Sequence, residues 1–394
     1  MKKNIHSVRL PALLALLILL GAGCEYKVPK SVWDPNADLG AFPTITGLLP
    51  ADRATGGAQT ITIQGSGFSA DTSRCSVFFG GTKAVILSSA ENQVMVRRPA
   101  SSGDTLTVKV LVEGAYGIAL FHGYAVDKVF RLYGNKALKS LIQWICVDAS
   151  ENLFGLKITR DILEIPTNEE KIDFALNSFK KKCTDLKLGP DGALYEIEMS
   201  SKTVYRIAPE GGSSQKYAEL PAIPLRFDFD ANGTAVFAGD KTGLVLLLAD
   251  LSARTLSVFN DLTPVGVHCY RGQVFVYDGQ AIGKTVLSAD YSTAGPKEKV
   301  FDMAQAADYA GSKITSFVMD ENGVLIVSTD RTGDALFEVS ADGAVGTFYK
   351  GILPSYASGQ LAWGSGHYLY LNMQAESANK DVLRIDAGRN EAGK

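Results

Sequence analysis

Beyond residue 142 the chain is built of short runs in which apolar and polar residues alternate, separated by Gly, Asp and Asn turns. Alternation of period two is the mark of half-buried strands. The grammar repeats six times between Ile142 and Ile385. Each copy has an apolar strand, a turn, a second strand with a bulky anchor, and a third strand. The anchors are Phe154, Tyr195, Val236, Phe275, Ile326 and Tyr370. They recur at intervals of roughly 40–50 residues, the period of multi-stranded propeller blades. A fourth strand carrying an aromatic follows in five copies, at Phe174, Tyr217, Phe259, Phe301 and Phe348. After Ile385 no apolar alternation remains, so the sixth copy lacks its fourth strand. Val126–Leu132 contains Lys128-Val129-Phe130, which matches Lys299-Val300-Phe301 of copy four. This segment is predicted to complete blade six, closing the ring and removing a free sheet edge. Residues 126–394 are therefore expected to form a six-bladed β-propeller with 126–132 as its closing strand.

Residues 43–125 alternate differently, with shorter spacing and Gly/Pro/Asp/Ser turns. This pattern predicts a small β-sandwich, so the fold class is all-β. The specific parts are Ile61-Thr62-Ile63, Gly65 and Gly67-Phe68, then Val77 followed one residue on by Phe79-Gly80. They resemble the TIG/IPT immunoglobulin-like domain, whose members act as spacers, interaction modules or parts of glycan-binding surface proteins. The propeller copies resemble NHL-type repeats, best in Asp191-Gly192-Ala193-Leu194-Tyr195 followed by Val204-Tyr205-Arg206-Ile207.

The N-terminus changes the picture. Lys2 and Lys3 precede the apolar run Leu10–Leu20, and Gly21-Ala22-Gly23 leads into Cys24. The run is short for a membrane span. Small residues before a cysteine resemble a bacterial lipobox, although Gly21 departs from its usual pattern. The resemblance implies a signal peptide over 1–23, a lipid on Cys24 and membrane anchorage without a span. An ordinary cleaved signal is the alternative. Glu25 in place of Asp favours the outer membrane, with the leaflet open. Residues 24–42, with Pro29 and Pro35, read as an extended tether, in which Trp33 stands apart as an aromatic. The net charge of −3 and the lack of a basic stripe argue against a nucleic-acid partner. Cys75, Cys146, Cys183 and Cys269 have no CxxC or metal-like spacing. They read as small buried hydrophobes, with a Cys146–Cys183 disulfide left open.

First strands surround the axis of a propeller, and one face of each must line its channel. The polar parity holds Trp144, Asp185, Lys187, Arg226, Asp228, His268 and Gln360. Two readings stand. In one, Asp185/Lys187 and Arg226/Asp228 pair across adjacent strands as a structural network. In the other, the cluster binds a polar ligand, with the cations for anionic groups, the carboxylates for hydroxyls and Trp144 for a sugar face. Six-bladed lactonases hold calcium with a carboxylate and asparagines, and no inner-strand Asn occurs here. Streptogramin-lyase-like propellers need a catalytic histidine, and His268 is the single inner-strand candidate. No phosphate loop, nucleophile elbow or HExxH is present. The expected function is non-catalytic binding of a glycan, peptide or envelope protein, with no metal or cofactor. A hydrolase or lyase using the axial pocket, or a purely structural role, are the alternatives. The arrangement resembles envelope proteins of the Bacteroidetes and Chlorobi, some linked to polysaccharide uptake, which implies glycan binding.

Overall fold

The computed structural model describes residues 40–134, 142–157, 161–167, 173–178, 182–355, 358–373 and 382–394. The predicted signal peptide, Cys24, Trp33 and all but the end of the tether lie outside these residues.

The first unit is a two-layer β-sandwich. Thr44–Leu49, Thr60–Ser66, Gln93–Arg97 and Ile86–Ala90 form one sheet in that spatial order. Arg53–Ala54, Ile118–Val126, Gly103–Val112, Cys75–Phe79 and Thr82–Lys83 form the other. The alternation read from sequence sets the core. In Thr60–Ser66, Ile61 and Ile63 turn inward and their neighbours outward. They meet Val77, Phe79, Val94, Val96, Val108, Val110 and Tyr124, all without exposed surface.

The second unit is a ring of four-stranded antiparallel sheets, six blades in all. Blade 1 holds Ile142–Val147, Leu153–Lys157, Asp161–Ile165 and Asp173–Ser178. Blade 2 runs from Cys183–Leu188 to Gln215–Glu219, and blade 3 from Arg226–Phe229 to Ala253–Leu256. Blade 4 runs from Gly266–Tyr270 to Glu298–Asp302, and blade 5 from Ile314–Met319 to Val345–Thr347. Blade 6 holds Ser358–Trp363, Tyr368–Met373 and Val382–Asp386. First strands of successive blades pack side by side, and that of blade 6 returns to blade 1. The space between blades is filled from the repeated apolar positions, as where Phe317 sits among Tyr270, Phe275 and Tyr277.

The fourth strand of blade 6 is Phe130–Tyr133, paired antiparallel with Val382–Asp386. It begins later than the sequence suggested. Val126 belongs instead to the last sandwich strand, where it pairs with Gly103 and Ala54. The aromatics of the outer strands also differ from expectation. Phe301 lies in its strand, but Phe259 and Phe348 follow theirs. There the short outer strand has ended and the chain turns inward, so both rings enter inter-blade cores.

Asp127, Lys128 and Val129 alone join sandwich to ring, and the junction is heavily bonded. Arg98 is buried and donates to the carbonyl oxygens of Ala54, Thr55, Ala58 and Asp127. The Tyr349 hydroxyl accepts from the Gly57 N–H at 2.6 Å and donates to the Asp386 carbonyl at 2.6 Å. Gln59 accepts from the Tyr349 N–H and donates to Glu338. Gly388, at φ +67°, runs so close to the Gly56 carbonyl that a Cβ there would collide with it.

The four cysteines among the described residues are buried free thiols, so the Cys146–Cys183 disulfide does not form. Cys183 donates to Glu196, a buried carboxyl whose pKa burial pushes up to about 7 against that hydrogen bond.

Candidate functional site: the two mouths of the axial channel

Residues two apart on a strand share a face but stand roughly 6.6 Å apart along it. That spacing divides the predicted cluster between two cavities. The N-terminal ends of the first strands open into an upper pocket of about 530 Å³. Trp144, Arg226 and Gln360 line it, with Gln143, Asp278, Lys313 and Asp330. The C-terminal ends frame a lower cavity of about 160 Å³ lined by Lys187, Asp228 and His268. Asp185 is buried and is part of the lining of neither.

Arg226 is the best-anchored side chain of the upper pocket. Its Nε donates to the Val265 carbonyl at 2.6 Å. Its Nη1 donates to the carbonyls of Thr184 at 2.9 Å and Leu225 at 2.7 Å. The guanidinium lies over the Trp144 ring, 4.5 Å from its centre. The side chain thus clips blades 2, 3 and 4 together while stacking on blade 1. The expected pairing of Asp185/Lys187 with Arg226/Asp228 across adjacent strands does not form as ion pairs: Arg226 is spent on main-chain carbonyls and Asp228 is taken by Lys394. Trp144 likewise does not offer both faces to a ligand, since the guanidinium covers one.

Asp185 is a structural carboxylate. It accepts from the N–H groups of Leu186 at 2.9 Å and Phe227 at 3.0 Å. Asp228 repeats the device one blade on, accepting from Phe229 and Cys269, each at 2.9 Å. Ser316 does so with its hydroxyl, which accepts from the Leu361 N–H. Each side chain sews the first strand of one blade to that of the next. Burial raises the pKa of Asp185, against the pull of Lys187 and Arg226. The charges of Asp185, Lys187, Arg226 and Asp228 act on one another only through their fields, without a direct hydrogen bond between the two strands' side chains.

The lower cavity has an occupant that the sequence did not announce. Residues 389–394 cross this mouth, pinned where Ala392 donates to the Met319 carbonyl and Gly393 accepts from the Arg271 N–H. Lys394 reaches in and donates to Asp228 Oδ2 at 2.6 Å. Glu391 accepts from the Tyr270 hydroxyl at 3.1 Å. Burial alone would raise the pKa of Asp228, but the charges of Lys394 and Lys187 outweigh it and hold it well below the carboxylate range. Burial, reinforced by Lys187, pushes His268 down to about 4. Burial pushes Glu391 up to about 7, with Lys394 opposing. At neutral pH the cavity therefore holds a neutral histidine between charged neighbours. Among the described residues no group of three or more His, Cys, Asp or Glu side chains is placed to hold a metal ion.

The sequence reading missed Asp278 and Asp330 at the upper mouth, though a signal for them existed. Second strands of blades 3, 4 and 5 end at Gly239, Tyr277 and Thr329, and Asp240, Asp278 and Asp330 follow directly.

Residues 43–123 match the IPT/TIG domain family. No curated protein matches the chain. Similar solved structures include an auxiliary nutrient binding protein from Bacteroides ovatus. It is 12% identical, with a TM-score of 0.53 over 87% of this chain and 97% of its own. Another, from Bacteroides thetaiotaomicron, is 11% identical with a TM-score of 0.53 over 90% and 98% of the two chains. A luciferin-regenerating enzyme is 14% identical, with a TM-score of 0.52 over 68% of this chain and 97% of its own. At these identities the likeness is one of fold, spanning most of this chain in the two Bacteroides proteins and about two thirds of it in the enzyme.

Proposed function

We propose that this chain is a non-catalytic binding protein that takes a polar ligand of the glycan class at the upper mouth, held to the outer membrane by lipid on Cys24. The observation that carries the reading is Arg226. Three main-chain carbonyls and the Trp144 ring hold its guanidinium in one pose at the edge of a pocket of about 530 Å³. Groups fixed before binding lose little freedom when a ligand arrives, which is how a small polar site gains affinity. Gln143, Gln360, Asp278 and Asp330 supply donors and acceptors around it, and pockets of this size suit small ligands. The nutrient-binding proteins that share the fold support a binding role. The sandwich, locked to blades 5 and 6, serves as the rigid mount.

The test is a glycan array probed with residues 25–394, followed by calorimetry on the hits. Trp144→Ala and Gln360→Ala should each weaken binding at least tenfold while the thermal transition stays within a few degrees. Unchanged affinity in both variants, or no hit on the array, would overturn the reading. Anchorage is checked separately, by incorporation of labelled palmitate that disappears in Cys24→Ala.

A further inference from the structure

Resting on that reading, we infer that the ligand of the upper mouth is a sugar acid, with its carboxylate seated on Arg226 and its hydroxyls on Asp278 and Asp330. The first ground is a cation without an ion-pair partner. Arg226 spends Nε and Nη1 on carbonyl oxygens, which carry dipoles but no net charge. Among the described residues no carboxylate lies within ion-pair distance of it, and Asp185 is committed to two main-chain N–H groups. Nη2 keeps both of its N–H donors, so the anchored guanidinium can offer a carboxylate charge-assisted hydrogen bonds from that one nitrogen.

The second ground is the Trp144 stack. A neutral sugar is recognised largely through an aromatic face, and the guanidinium already covers one face of this indole at 4.5 Å. What the stack presents to the pocket at that edge is positive charge.

The third ground separates a sugar acid from a simple anion. Asp278 gives Oδ1 to the N–H groups of Gln280 and Ala281, and Asp330 gives Oδ1 to the N–H of Lys313. Each keeps its second oxygen free as an acceptor. A fully deprotonated anion such as acetate or sulfate would meet these two carboxylates with nothing to donate. A sugar acid brings hydroxyl donors for them and an acidic group for Arg226, with the Lys313 ammonium also at the rim.

The experiment compares short oligomers of galacturonate, glucuronate and mannuronate with their methyl esters, which keep every hydroxyl and lose the charge. Calorimetry on the unmodified protein should show one acid at least tenfold tighter than its ester, with the ratio shrinking as sodium chloride is raised. Arg226→Gln should bring acid and ester together; if that variant melts early, Arg226→Lys, which keeps the charge but loses the carbonyl anchoring and the Nη2 donors, should lower the ratio instead. Equal affinity for acid and ester, or binding of neutral glycans alone, would overturn the sugar-acid inference and leave the binding reading standing. Acetate or phosphate competing as well as the oligomers would overturn it in favour of a simple anion. No binding by any acidic or neutral glycan would overturn both.

Discussion

Lys394→Met tests whether residues 389–394 hold the ring together from below. The Lys394 amine donates to Asp228 at 2.6 Å, and the Asp228 side chain is 6% exposed. Removing one partner of a fully buried ion pair costs about 3–5 kcal/mol. Two features reduce that here. Asp228 keeps the N–H groups of Phe229 and Cys269, and the Lys394 side chain is 39% exposed. The expected loss is about 1.5–3 kcal/mol at pH 7, the range for a charge-assisted hydrogen bond. Chemical denaturation of Lys394→Met, Asp228→Asn and the double variant should give a coupling energy of about 1 kcal/mol or more. The pH dependence has a defined sign. A carboxylate whose folded pKa lies below its unfolded value stabilises the fold above the unfolded value, and that contribution is lost as pH falls through the folded one. Lys394→Met lets the Asp228 pKa rise toward its unfolded value, so the variant should start less stable at pH 7 and lose less further stability than the parent as pH falls below about 4. Additive single-variant losses, together with an unchanged acid limb, would show that the contact contributes nothing.

Tyr349→Phe leaves the Gly57 N–H without its partner and should cost about 1–3 kcal/mol, with faster proteolysis at Asp127–Val129; parent-like stability and cleavage would contradict this. His268 is held down at about 4 against an ordinary 6.5, so the folded state binds fewer protons between those values. Its contribution is complete above pH 6.5 and falls by up to about 3 kcal/mol as pH drops toward 4, at 1.36 kcal/mol per unit. Glu391, pushed up to about 7, acts oppositely, contributing fully below 4.5 and losing that as pH rises to 7. Denaturation of the parent and His268→Gln at pH 4.5 and 7 should differ in pH slope, and parallel slopes would discard the assignment.

The strands were legible because alternation is a local property: each residue needs only its neighbours to declare a face. That logic gave only part of the channel lining: Cys146, Lys187, Asp228, His268, Val318 and Ala362 reach the lower cavity, but so do Ile145, Val147, Leu361 and Trp363 of the opposite parity. It failed where geometry is long-range. Val126 alternates equally well as sandwich strand or ring strand, and only pairing with Gly103 decides. Parity names a face but not a depth, so it merged Trp144 and Arg226 with Lys187 and His268 into one site. The partners of Asp228 and Arg226 were hidden for another reason. Lys394 lies in a segment with no periodicity at all, and carbonyl oxygens leave no trace in a residue string.

The short link between sandwich and ring has a mechanical consequence. A pull at Gly40 is aimed at Phe130–Tyr133, the one strand that completes its blade from outside the ring's own sequence, and the strand most exposed to being peeled away. The load does not arrive there undivided. Arg98 grips the Asp127 carbonyl and Arg53 grips its side chain, Tyr349 ties Gly57 to Asp386, and Glu338 binds Gln59 on one side and Arg389 on the other. Tension is shared among blades 5 and 6 and the segment beneath the channel before it reaches the seam.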